Sequence, residues 1–376
     1  MDSCLYLRIY LILCCFNLVI LTYSSSSTQP LCHENESKDL LQFKHNFVID
    51  KSASLDPSAY PKLESWKLLD GKSNGCCSRD GVKCDHDTGH VIGLDLSSSF
   101  LYGSINSSSS LFAFVHLRSL NLADNDLNFS EIPSRIGNLP GLTSLNLSNS
   151  RFFGQIPSEI SSLSKLVVLD LSTKSEFYPE SLFLKLEKPS LKDLIQNLTN
   201  LKVLDLSEVN ISSSVPSFLS NISSLTTLRL KRCSLFGEFP MDIFRLPKLQ
   251  ILDAAWNEDL TGSLPEFQSS SRLKVLSISV TGFYGKLPGS IGRLESLSFL
   301  SSTQTSLSGM IPSSLGNLTR LTVLYLDTCK FSGQIPSSLA NLSQLTEFGI
   351  GINNFSAGPL PFSPGKLLKL TCLLAS

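Results

Sequence analysis

The residues best able to do covalent chemistry are cysteines. Four of them, Cys32, Cys76, Cys77 and Cys84, stand within residues 28–90 of a chain of 376 residues. Four cysteines allow three pairings. Joining the adjacent Cys76 and Cys77 would be badly strained, and of the rest we expect Cys32–Cys76 and Cys77–Cys84. Zinc is the competing use of such a cluster, but adjacent thiols in an exported chain argue against it. His33, His45, His86, His90 and His116 lack metal-ligand spacing and accompany no nucleophile motif. Arg79-Asp80-Gly81 has none of the company a kinase catalytic loop requires. No catalytic constellation, cofactor site or metal site emerges. The chemistry points to cross-linking and recognition, not to an enzyme.

The elements that must position these residues come from one repeated block of about 24 residues, as in LTVLYLDTCKFSGQIPSSLANLSQ from Leu321 to Gln344. The same frame opens at Leu142, Leu201, Leu225, Leu249, Leu273, Leu297 and Leu345, with further copies at Val91 and Leu117. Leucine-like residues hold positions 1, 4 and 6, a polar residue 9, an apolar one 11, and mostly Gly 13 before Ile/Leu-Pro. That spacing marks a leucine-rich repeat, in which each unit adds a short strand and a turn. It predicts an α/β solenoid: a right-handed superhelix with one short parallel strand per repeat on the concave face. About eleven repeats fill 91–369, behind a helical, disulfide-bonded cap over 28–90. Residues 370–376 read as the truncated start of a further repeat, so the chain reads as a shortened form of a longer protein. The unit at 166–200 is irregular, about 35 residues long, and its extra residues must loop out on the convex or flanking side.

Position 9 carries Asn125, Asn257 and Asn353, with Ser, Thr or Cys elsewhere. A polar side chain there can satisfy the amides of the neighbouring turn. Cys233 and Cys329 fall at this position four repeats apart. At ~4.8 Å per strand that is on the order of 19 Å, whereas a disulfide needs Cα atoms within roughly 7 Å. Both are expected as buried free thiols, and Cys372 as unpaired and exposed. In the cap, SKDLLQFKHNFVID puts Leu40, Phe43 and Phe47 on one helical stripe beside Leu41 and Val48. Ser37 is the expected helix cap, with Asp39 near the positive end.

Strand alternation turns positions 2, 3, 5, 7 and 8 toward the concave face. Position 5 reads Asp95, Asn121, Asn146, Asp170, Asp205, Arg229, Asp253, Ser277, Ser301, Tyr325 and Gly349. A basic patch of Arg229, Lys231 and Arg232 results, flanked by Asp253 and Trp256, with Tyr325 and Asp327 further along. One reading is a site for a peptide, protein or glycan ligand, because Trp, Tyr and Arg dominate recognition hot spots. The other is a ladder, Asp205–Arg229–Asp253, whose neighbours stand about 5 Å apart and neutralise one another. Trp256 has no role in such a ladder.

The net charge is −1 and no Lys/Arg block suggests a nucleic-acid face. The N-terminus has Arg8 before an apolar run from Ile9 to about Leu21, the layout of a secretory signal peptide over 1–24. Cleavage is expected between Tyr23 and Ser27, giving a mature chain from near Thr28 outside the cytosol. No later stretch is apolar enough to span a bilayer. Export makes ten sequons meaningful: Asn35, Asn106, Asn128, Asn146, Asn197, Asn210, Asn221, Asn317, Asn341 and Asn354. Asn197, Asn221, Asn317 and Asn341 share one repeat position and would line one edge, although N-L-T/S is also the repeat's own consensus there. A glycan on concave Asn146 would block the early repeats and favour a ligand site nearer the later ones.

Three segments carry a more specific resemblance: LCHENESKDLLQFKHNF from Leu31, LESWKLLDGKSNGCCSRDGVKCDHDTGHVIGLDLS from Leu63, and KLEKPSLKDLIQNLTNLKVLDLSEVNIS in and after the irregular unit. They resemble the extracellular part of plant receptor-like proteins of the Cf-type and Verticillium-resistance-type immune families. The third segment separates this group from receptor kinases. That resemblance implies placement in the plasma membrane as a type I protein, or in the apoplast if the chain ends as given. It also implies an extracellular ligand and signalling through a partner receptor kinase in defence. The chain departs from the family at Arg79, where an aromatic residue is usual two positions after the paired cysteines. It also lacks the further repeats, C-terminal cap, membrane span and tail. Two alternatives stay open, a secreted polygalacturonase-inhibitor-like protein and a truncated, non-signalling fragment or decoy.

Overall fold

A computed structural model describes residues 32–67, 75–173, 184–357, 367 and 369–374. The expected leader, its cleavage site and most of the irregular insertion lie outside the described residues. Positions 1, 4 and 6 of the repeats are buried, as with Leu225, Leu228 and Leu230, and stack into one continuous apolar core. Each buried leucine contributes about 1.5–3 kcal/mol, and only the neighbouring repeat can cover it. The chain is therefore a leucine-rich-repeat solenoid whose sheets grow one strand per unit.

The main sheet has thirteen strands. Val82–Cys84 pairs antiparallel with Val91–Asp95, and every later pair is parallel. From Val203–Asp205 to Glu347–Gly349 the strands recur every 24 residues without a register slip, and Cys372–Leu374 adds the last. A second, six-stranded parallel sheet was not anticipated from the sequence. It runs from Gly237–Glu238 through Asn257–Gly262, Thr281–Lys286, Ser306–Gly309 and Lys330–Gly333 to Asn354–Phe355. The position-13 glycines Gly237, Gly285, Gly309 and Gly333 turn this layer with φ between +75° and +88°, where only glycine is unstrained. The repeat from Leu201 has Ser213 there instead, and single bridges, Lys185 to Asn210 and Ser214 to Phe236, replace the ladder.

In the cap, helix α1 spans Glu34–Lys44 behind His33, four residues earlier than a Ser37 cap would start it. Ser37 lies inside the helix and is buried, because the guanidinium of Arg79, also buried, donates to its carbonyl (3.0 Å) and its hydroxyl (2.9 Å). Glu34 and Glu36 supply the acidic first turn in its place. The stripe also ends early: Phe47 opens a short strand, Phe47–Ile49, paired with Leu101–Gly103, and leaves Val48 62% exposed. Cys32 is bonded to Cys76 and Cys77 to Cys84, each with Cα atoms 5.5 Å apart. Three of these sulfurs lie within 4.8 Å of one another, but disulfide pairing leaves no thiolate to hold a metal. Helix α2, Leu191–Ile195, closes the irregular unit behind a Ser190/Asp193 capping box.

Position 9 forms the polar spine. Asn257 Oδ1 accepts from the amides of Cys233 (2.9 Å) and Leu235 (3.0 Å), and its Nδ2 donates to the carbonyls of Leu230 and Ala254. Asn125 and Asn353 repeat the pattern. Val209 stands outside the Ser, Thr or Cys set expected elsewhere and is wholly buried. Cys233 and Cys329 are buried free thiols whose Sγ donates to the carbonyls of Leu206 and Ser302, both at 3.1 Å. Burial pushes both thiols up, away from the reactive thiolate. Cys372 is free but half-buried, because its strand is paired with Glu347–Gly349.

Candidate ligand-binding face

Position 5 residues leave the end of each main-sheet strand, and their first partner is local. The carboxylate or amide Oδ1 of Asp95, Asn121, Asn146, Asp170, Asp205 and Asp253 accepts from the amide two residues on, at 2.9 to 3.1 Å. This is an Asx turn repeated down the solenoid, and it binds these side chains to the scaffold before any ligand arrives. The signal was present in sequence as a recurring Asp/Asn followed two residues later by Ser or Ala. Position 8 carries a second regularity. Asp124, Asn149, Glu208, Arg232, Trp256, Val280, Gln304, Thr328 and Ile352 all have positive φ, between 52° and 65°. The left-handed turn belongs to the repeat, so the φ of +61° at Trp256 marks no special strain.

Within this frame the basic patch is real, and so is the ladder. Arg229 is in register with Asp205 on one side and Asp253 on the other. Its Nη1 lies 3.4 Å from Asp205 Oδ2. Lys231 is half-buried and Arg232 exposed on the same repeat. Trp256, at the position equivalent to Arg232 one repeat on, is 54% exposed. Burial holds the Asp253 carboxyl above its ordinary range, and the Lys231 and Arg229 charges oppose that shift. Tyr325 and Asp327 lie three strands beyond Asp253, about 14 Å at ~4.8 Å per strand, and form a separate group. Tyr325 donates to the Glu347 carboxylate, which pushes its phenol up to about 12. Asp327 Oδ1 accepts from the Gly351 amide at 2.9 Å, so it braces the next turn. Of the seven residues read from sequence, the structure brings Arg229, Lys231, Arg232, Asp253 and Trp256 together and leaves Tyr325 and Asp327 apart.

Asp170 gives this face a pH signature. Its carboxyl is held above the usual carboxylate range, first by burial and then by the charge of Asp205 beside it. A carboxyl raised in the folded state binds its proton more tightly there. It therefore favours folding at low pH and loses that contribution as pH rises through the folded value. Asp170→Asn keeps the Asx-turn acceptor, as Asn121 and Asn146 do, and removes the charge. Thermal melting of this variant should exceed wild type at pH 7, with the gain shrinking as pH falls into the carboxylate range. A variant that melts lower at every pH would show that the charge is needed.

The sequons are mostly open to solvent: Asn35, Asn106, Asn128, Asn197, Asn221, Asn317, Asn341 and Asn354 are exposed, while Asn146 and Asn210 are half-buried. Among the described residues no helix is long and apolar enough to cross a membrane.

The family described as "Leucine-rich repeat region" matches residues 93–229, and "Leucine Rich Repeat" matches residues 320–342. Receptor-like protein 6 of Arabidopsis thaliana is 40% identical over 299 residues, 75% of this chain and 30% of that protein. Receptor-like protein Cf-9 of Solanum pimpinellifolium is 38% identical over 303 residues, 78% of this chain and 33% of that protein. The chain belongs to the plant leucine-rich-repeat receptor-like proteins. It spans about a third of the length of these curated relatives. Among solved structures, the plant peptide hormone receptor RGFR1 in complex with RGF2 is similar to this receptor-like protein with a TM-score of 0.61 and 26% identity. That likeness covers 72% of this chain and 42% of the other.

Proposed function

We propose that this receptor-like protein works outside the cell, binding a peptide, protein or glycan ligand on its concave face. The signal passes through a partner receptor kinase and serves plant defence. The observation that carries this reading is an exposed Trp256 set beside Lys231 and Arg232, next to position-5 carboxylates that Asx turns hold to the scaffold. An aromatic ring next to cationic groups is the composition of a recognition hot spot. The similarity to a plant peptide hormone receptor, solved in complex with RGF2, supports a peptide or protein ligand. Similarity to Receptor-like protein Cf-9 supports defence.

The test uses secreted wild type and a Trp256→Ala/Lys231→Ala variant of matched melting temperature. Surface plasmon resonance compares their binding of apoplastic peptide fractions and of oligogalacturonides. The variant should bind about thirtyfold more weakly, since two contacts worth ~1 kcal/mol each multiply. Equal binding by both proteins would remove the concave assignment. Tight binding of a fungal polygalacturonase by both would point to the inhibitor reading.

A further inference from the structure

A groove of about 960 Å³ opens on the side of the solenoid away from the basic patch, around the 3-10 turn Ser217–Asn221. Its origin can be read from one repeat position. At position 20, Gly292 and Gly316, with Gly137 at the equivalent place in the one-residue-longer repeat from Leu117, let consecutive helical turns close directly on one another. A methyl added at Gly292 or Gly316 would stand 2.4 or 2.3 Å from a carbonyl of the next repeat, on Ser314 or Ser338. In the repeat from Leu201 that position is Ser220, and the residue facing it on the next repeat is Asp242. Both line the groove. Asn221 lines it too, and Asn221-Ile222-Ser223 is a sequon.

We infer that the groove is the seat of this chain's own N-glycan, carried on Asn221. The inference rests on the extracellular reading above. An N-acetylglucosamine has an apolar ring face, hydroxyls and an acetamido group that both donates and accepts. The groove offers Phe218 and Met241 as apolar surface, Met241 being 41% exposed, and the Asp242–Arg245 ion pair (2.8 Å) as polar partners at its rim. Because the sugar is tethered at the groove wall, seating it costs no translational freedom beyond what the covalent bond already removed. Asn317, at the same repeat position, follows Gly316, where the turns close without a slot, so its glycan stands in solvent. The seated glycan closes the groove to protein partners and leaves the concave face as the open side.

The full chain, secreted from a mammalian cell line, is treated while folded with a peptide-N-glycosidase, and release is followed site by site by mass spectrometry. Release at Asn221 should be about tenfold slower than at Asn317, and the two should match after denaturation. Met241→Ala, at an exposed residue whose loss leaves the core intact, should speed release at Asn221 and leave Asn317 unchanged. Equal native rates, an unoccupied Asn221 beside an occupied Asn317, or no effect of Met241→Ala would each overturn the glycan seat alone. Sugar on none of the ten sequons would overturn the extracellular reading, and the seat with it.

Discussion

Replacing Asn257 by alanine should cost about 3–5 kcal/mol of unfolding free energy, because it strands several buried polar groups at once. Its Oδ1 is the acceptor for the buried amides of Cys233 and Leu235, and its Nδ2 serves the carbonyls of Leu230, Ala254 and Ala255. Each stranded amide costs about 1–3 kcal/mol, and the solenoid interior gives water no easy route to replace the side chain. Cys233→Ala supplies the comparison. The thiol donates to the carbonyls of Leu206 and Lys231. The amides nearest its sulfur, those of Glu208 and Val209, keep backbone acceptors in Lys231 and Leu206. Its loss therefore orphans no amide, and under-satisfied carbonyls are tolerated better. That variant should lose about 1 kcal/mol. Urea titration of the three proteins decides the matter. Similar losses for Asn257→Ala and Cys233→Ala would mean that the asparagine spine is not what holds adjacent turns together.

The spine was legible because position 9 repeats one chemical type often enough to see. Position 5 was half legible. Its Asp and Asn residues are visible as concave polar groups, each followed two residues later by Ser or Ala, but that pattern alone does not say that the partner is a backbone amide and not a ligand. Position 8 was not legible at all. Asp124, Glu208, Trp256, Val280 and Ile352 share no chemistry, yet all adopt positive φ because stacking of the turns imposes it. The second sheet is not legible for a related reason: its strands are two to six residues long and rest on glycine turns more than on apolar alternation. Arg79 is odd in the sequence, but its consequence shows only in three dimensions. A guanidinium buried against Ser37 moves that serine inside α1, so the cap falls earlier in the chain.

Gly316→Ala and Gly289→Ala are the same chemical change and should move stability in opposite directions. A methyl on Gly316 would stand 2.3 Å from the Ser338 carbonyl oxygen and 2.7 Å from its carbon. Those are backbone atoms of the next repeat, held by their own turn, and cannot swing aside as a flexible side chain would. Overpacking of this kind costs about 1–3 kcal/mol, and the upper end applies because the displaced turn, Ser337–Asn341, sits on a buried Leu339. A methyl on Gly289 meets nothing within 4 Å. Its φ lies outside the left-handed region, so alanine there mainly narrows the unfolded ensemble and should add about 0.4–1 kcal/mol. Unfolding midpoints for both variants test the idea together. If Gly316→Ala proved as stable as wild type, adjacent turns would be free to slide apart, and Ser220 could no longer be the cause of the groove beside Asn221. If it unfolds early while Gly289→Ala gains, backbone contact at position 20 sets how closely the repeats stack. A single serine there then suffices to open a cleft between two repeats.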